Sequence, residues 1–170
     1  MTVMRSPMKI IGLLLLLASV AFASPEVCFT PGGDCTGVIV REIGAAKKSV
    51  RVQAYSFTSA PIAKALVDAS KRGVHVEVIL DRSNRTERYS GLTFLVHADI
   101  PTSVDSKHAI AHNKIIIVDD ETVITGSFNF TKAAQEHNAE NLIVLHDAAL
   151  AAKYVANWRA HLAHSDDVTP

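Results

Sequence analysis

The stretch His112-Asn113-Lys114-Ile115-Ile116-Ile117-Val118-Asp119-Asp120-Glu121-Thr122-Val123-Ile124-Thr125-Gly126-Ser127-Phe128-Asn129 decides the fold. Asn113–Val118 and Thr122–Thr125 are β-type runs separated by an acidic turn, so they read as a hairpin. Side chains alternate faces along a strand. His112 and Lys114 therefore point one way with Ile116 and Val118, and Ile115 and Ile117 cover the other face. A strand apolar on both faces belongs inside a sheet that is covered on both sides.

Outward from this hairpin, strand and helix signals alternate. Val27–Thr30, Ser49–Phe57 and Val74–Leu80 read as strands before it, and Ala139–Leu145 as a strand after it. Asp34 is placed to cap a helix running to about Lys48. Ser59 and Pro61 open a second helix that Gly73 closes. Leu92–His97, Thr131–Glu136 and Ala148–His161 complete the helices, and 82–91 is a polar break carrying Arg82, Arg85 and Arg88. The expected fold is a single-domain α/β sandwich: a sheet flanked by helices on both faces, mixed because of the hairpin.

The ends of the chain bear on where the protein works. Arg5 and Lys9 precede an apolar run from Ile10 to Val20, and Ala21-Phe22-Ala23 has the small-x-small cleavage pattern. Residues 1–23 are expected to be a secretory signal peptide, and 24–170 the working domain, in the periplasm or the medium. The apolar stretch is short for a spanning helix, so no stable membrane association is expected after cleavage. The whole chain has 170 residues, 17 Lys+Arg and 17 Asp+Glu. Cleavage would leave 147 residues with 15 basic and 17 acidic, a net charge of −2. That excludes a strongly basic coat, though not a local basic patch. Cys28 and Cys35 flank Pro31, Gly32 and Gly33, and in an oxidising compartment they are expected to pair as a local staple.

If the hairpin turns near Asp120-Glu121, His112, Lys114, Ser127 and Asn129 meet at one end of the sheet. A neutral His can attack phosphorus. Lys offsets charge on phosphate oxygens, and Ser and Asn donate hydrogen bonds. No carboxylate cluster of the kind Mg²⁺ or Ca²⁺ needs is evident nearby, so phosphodiester chemistry without a metal or other cofactor is expected. Asp119, an odd offset from Lys114, points away and is expected to accept backbone N–H bonds in the turn.

The pattern His112-x-Lys114-x4-Asp119-x6-Gly126-Ser127-x-Asn129 resembles the HKD motif of the phospholipase D superfamily at every fixed position. With Ala54-Tyr55-Ser56-Phe57-Thr58 upstream, most of the chain after residue 23 is similar to the small exported bacterial Nuc-type endonucleases of that superfamily. The resemblance implies that His112 is the nucleophile, forming a phosphohistidine, and that Lys114, Ser127 and Asn129 bind phosphate. It implies a downstream carboxylate that orients the imidazole. Glu140 is the best match and Glu136 its competitor, and spacing does not choose between them.

The reaction needs a second acid–base group, one that protonates the leaving oxygen and then takes a proton from water. The chain carries one HKD motif, and single-motif members of the superfamily pair two chains, so a homodimer sharing one active site is expected. The expected substrate is DNA, with RNA as a second candidate, cut without sequence specificity. The alternatives are a lipid phosphodiesterase of the same superfamily and an inactive phosphate-binding module. Arg82, Arg85 and Arg88 are candidates for tracking a nucleic-acid backbone, weighed equally against a solvated loop partly cancelled by Glu87. The i, i+4 pair His108 and His112 lacks a third ligand at zinc spacing. His161 and His164 are expected in a frayed C-terminal segment. His75, His97 and His146 read as structural or solvated, and Tyr154 and Trp158 as core or interface.

Overall fold

The computed structural model describes residues 24–169, so the expected signal peptide lies outside the described residues. Eight strands form one sheet in the order β1-β7-β6-β5-β2-β3-β4-β8. They are β1 (Glu26–Thr30), β2 (Ser49–Ala54), β3 (His75–Asp81), β4 (Thr102–Asp105), β5 (Lys114–Val118), β6 (Thr122–Gly126), β7 (Glu140–His146) and β8 (Asp166–Asp167). β2, β3 and β4 run parallel, and the remaining neighbours pair antiparallel. The sheet is thus mixed, as the hairpin requires.

The helices are α1 (Cys35–Ala45), α2 (Ala60–Lys71), α3 (Leu92–His97), α4 (Lys132–Glu136) and α5 (Ala148–Leu162). One core holds Ile39, Ile43, Leu66 and Leu95 against Val50, Val52, Ile116 and Val118. The other holds Ala151, Val155 and Trp158 of α5 against Ile79, Ile115, Ile117 and Val123. The alternation Ile115/Ile117 against Ile116/Val118 therefore feeds two separate cores, with helices on both faces of the sheet. Trp158 is core, its indole N–H donating to the Val52 carbonyl at 2.9 Å. Cys28 and Cys35 are disulfide-bonded and tie β1 to the start of α1.

Several boundaries differ from the sequence reading, each for a nonlocal reason. α1 stops at Ala45 rather than Lys48, because Asp119 takes the N–H groups of Lys47, Lys48 and Ser49. β2 stops at Ala54, because Phe57 leaves it to bridge Phe130. Arg51 and Gln53 alternate with apolar residues but do not face water. They lie under α5, Arg51 against the Trp158 ring and paired with Glu77 and Asp120. The strands β4 and β8 are absent from the sequence reading. Neither shows period-two hydrophobicity, and each is defined by its neighbour. The C-terminal segment is not frayed: β8 pairs with β4, and His161 and His164 are partly buried around Asp105.

Candidate active site

Strand register collects the motif residues. Lys114 opens β5 opposite Ala54, the last residue of β2. β6 runs back beside β5 and ends at Gly126, and β7 starts at Glu140 beside it. His112, Lys114, Ser127 and Glu140 thus share the end of the sheet at which β2, β3 and β4 finish.

His112 is exposed and its ring lies on Tyr55, with centroids 4.8 Å apart. Lys114 is buried, with 8% of its surface exposed. Its ammonium donates to the His112 carbonyl oxygen at 3.1 Å and sits 5.2 Å from the centre of the Tyr55 ring. Burial lowers the Lys114 pKa from its ordinary value, and the negative charge of Glu140 partly opposes that. Tyr55 was not among the sequence candidates, although it underlies both groups. Its signal was an aromatic residue just past the end of a strand.

Ser127 donates to Glu140 Oε2 at 2.6 Å, and Asn138 Nδ2 donates to Glu140 Oε1 at 3.0 Å. Among the described residues none of the Glu140 hydrogen bonds goes to His112, so the carboxylate faces the site through Ser127. Glu136 is on α4 and pairs with Lys132 and His137 instead. Asn129 is half-buried and its Oδ1 is a buried acceptor with no partner among the described residues. Such an atom marks a place where a ligand or water completes the bonding.

Gly126 makes the turn that presents Ser127. Its φ is +147°, and a Cβ there would stand 2.3 Å from the Asn141 carbonyl oxygen. That oxygen accepts from both Ser127 N and Phe128 N, at 3.1 and 3.2 Å. Asp119 sits beyond the far end of β5, with φ +56°. Its carboxylate accepts backbone N–H groups of Lys47, Lys48 and Ser49 at 2.9, 2.7 and 2.9 Å. These donors belong to the entry of β2, not to the turn that Asp119 opens.

The segment that brings His112 in is pinned by Asp81, whose Oδ2 accepts Ala111 N at 2.7 Å. The arginine segment, headed by a 3-10 helix (Arg82–Arg85), is fastened to the same corner. Asn84 Nδ2 donates to the Tyr55 carbonyl oxygen at 2.6 Å. Arg82, Arg85 and Arg88 are exposed. Arg85 lies 3.8 Å from Asp166, and Arg88 packs on the ring of Tyr89. A cleft of about 290 Å³ runs between Tyr55 and this segment, lined by Ser56, Ser83, Thr86 and Glu87.

An exposed imidazole, a buried ammonium and hydroxyl and amide groups at one sheet end suit attack on a phosphodiester. The family described as cardiolipin synthase, PLD-like domain, matches residues 39–162. The phospholipase D of Rickettsia bellii is 46% identical over 140 residues, covering 82% of this chain and 70% of its own. The crystal structure of Nuc, a phospholipase D family member from Salmonella typhimurium, superposes with a TM-score of 0.83 at 40% identity. It covers 86% of this chain and 99% of that one. NucT from Helicobacter pylori gives 0.79 at 25% identity, over 85% and 99%. The chain belongs to the phospholipase D superfamily. It is a phosphodiesterase hydrolase of that superfamily, on the fold that Nuc shares.

Proposed function

We propose that this protein is an exported, metal-independent endonuclease that cuts DNA through a phosphohistidine, with one active site shared by two copies. The observation that carries the reading is the position of Lys114. Its buried ammonium is tied to the backbone of an exposed His112 at an open sheet end flanked by exposed arginines.

In the proposed reaction a His112 ring nitrogen attacks phosphorus and the bond to the leaving oxygen breaks. The second copy's imidazole gives that oxygen its proton, then takes one from water as the water oxygen displaces His112 from phosphorus. Lys114, Ser127 and Asn129 hold the non-bridging oxygens. Glu140 fixes Ser127 and supports the charge on Lys114, and turns to the imidazole when substrate takes Ser127. Arg82 and Arg88 contact backbone phosphates on either side, with Arg85 shared between substrate and Asp166. Local charge does this work, since the chain lacks a net positive field.

The names of the solved relatives Nuc and NucT support a nucleic-acid substrate. The rickettsial relatives carry the name phospholipase D, which supports the lipid reading. Among the described residues no helix is long and apolar enough to cross a membrane. Export is supported by the pattern of residues 5–23 and by the Cys28–Cys35 disulfide, a bond that suits the periplasm or the medium.

Plasmid DNA and phosphatidylcholine vesicles, each incubated in EDTA with wild type and with His112→Ala, test this function. Nicking by wild type alone is expected. Choline release without nicking would replace the nuclease by the lipase. Absence of both activities would leave a binding module, and nicking abolished by EDTA both in wild type that stays folded and in the His161→Ala/His164→Ala variant would overturn the metal-free chemistry.

A further inference from the structure

A second group of side chains converges at the same end of the sheet as His112, three strands further along. Asp105 ends β4, His108 lies between β4 and β5, His161 is in the last turn of α5 and His164 is just past it. A single carboxylate oxygen, Asp105 Oδ2, lies 2.9 Å from His108 Nδ1, 2.9 Å from His161 Nδ1 and 3.4 Å from His164 Nε2. The three imidazoles stand with ring centroids 5.0, 5.1 and 5.4 Å apart. One ligand atom from each of these residues lies within 4.8 Å of all the others. None of the four belongs to the phosphodiester site.

Hydrogen bonding alone serves this arrangement poorly. A carboxylate oxygen has about two lone-pair directions, and three ring nitrogens crowd this one. The other oxygen, Oδ1, is already taken by Lys107 N at 3.1 Å. The Asp105 side chain is fully buried, and an anion so placed needs positive charge beside it.

A divalent ion between three neutral imidazoles and this carboxylate would satisfy every donor at once. In tetrahedral zinc sites, ligand bonds of about 2.0–2.2 Å put ligand atoms about 3.3 Å apart. The three carboxylate-to-imidazole separations already lie close to that value. The imidazole nitrogens need only draw together, and the exposure of His108, His161 and His164 at 44%, 17% and 23% leaves room to rotate. A nitrogen-rich set of this kind suits zinc and its transition-metal neighbours, not Mg²⁺ or Ca²⁺.

We propose that Asp105, His108, His161 and His164 form a four-ligand site for a divalent transition-metal ion of the zinc class, acting as a structural staple. The bound ion would join the end of α5 to β4 and to residues 106–113, which deliver His112. That segment is held near its other end by Asp81 through Ala111 N. The sequence reading left His108 without partner ligands because Asp105 and His161 are 56 positions apart. The inference concerns binding and stability and does not rest on the proposed nuclease reading.

The test uses the whole protein, stripped with EDTA, dialysed free of chelator and titrated with ZnCl₂ by calorimetry. CoCl₂ titration is followed in parallel by visible absorption. One equivalent of Zn²⁺ is expected to bind and to raise Tm, and Co²⁺ to give the intense visible bands of a tetrahedral site. His161→Ala/His164→Ala should lose binding, and His112→Ala should bind as wild type does. Should the double variant not fold, His108→Ala, a change at the most exposed ligand, should weaken binding by more than about tenfold. Absence of stoichiometric binding by the folded wild type would overturn the proposal. So would binding that survives loss of these histidines, or binding that His112→Ala abolishes.

Discussion

Lys114 Nζ donates to the carbonyl oxygen of His112 at 3.1 Å, so the ammonium proposed to bind phosphate is anchored to the backbone of the proposed nucleophile. This bond positions the cation at the cost of burying it. Burial lowers its pKa, so the charged form is less stable in the folded protein than in the unfolded chain. The penalty is present at every pH where the unfolded lysine is protonated, below about pH 10. Lys114→Met should therefore raise Tm at pH 7 while lowering kcat/KM by about 10²–10³-fold. Thermal melts and nicking rates on the same preparation check both halves.

Glu140 carries the negative charge that opposes the Lys114 shift, and it accepts from Ser127. Glu140→Gln should lower the Lys114 pKa further, so activity is lost at a lower pH on the alkaline side. Glu136→Gln, on α4 and paired with Lys132 and His137, should leave the profile alone. Rate against pH for the two variants decides which carboxylate belongs to the site.

Asp119 should prove necessary for stability rather than rate. Burial pushes its carboxyl upward, but the N–H bonds from Ser49, Lys48 and Lys47 outweigh that and hold it below the ordinary range. Its stabilising contribution is thus present above the unfolded value, about pH 3.9, and is lost as pH falls through the lower folded value. Asp119→Asn should cost about 1–3 kcal/mol at pH 7, with a deficit that narrows below about pH 4. Its specific activity, measured well below Tm, should stay within about threefold of wild type.

Gly126→Ala would place a methyl 2.3 Å from the Asn141 carbonyl oxygen at a φ of +147°. The turn must open, and Ser127 moves with it. A destabilisation of more than about 1 kcal/mol is expected, together with a rise in KM. Ser127→Ala should raise KM without the loss of Tm.

Much of this was legible locally. The Ile-rich run and its return strand fix the hairpin, and the hairpin fixes where His112, Lys114 and Ser127 meet. The rest depends on residues distant in sequence. Arg51 and Gln53 alternate as a half-exposed strand would, yet α5, formed about a hundred residues later, covers them. β4 is polar enough to read as loop and exists because β3 and β8 pair with it. That Glu140 rather than Glu136 lies beside Ser127 needed the register of β6 on β7. The grouping of Asp105 with three histidines needed α5 to return to β4.

The central claim, that two copies of His112 build one active site, is tested most directly by mixed dimers. Wild type is co-expressed with a threefold excess of His112→Ala, and nicking is measured per wild-type chain. A shared site predicts a fall to about one quarter of the unmixed value, because most wild-type chains then face a partner without the second imidazole. Activity per wild-type chain unchanged by the excess would contradict it.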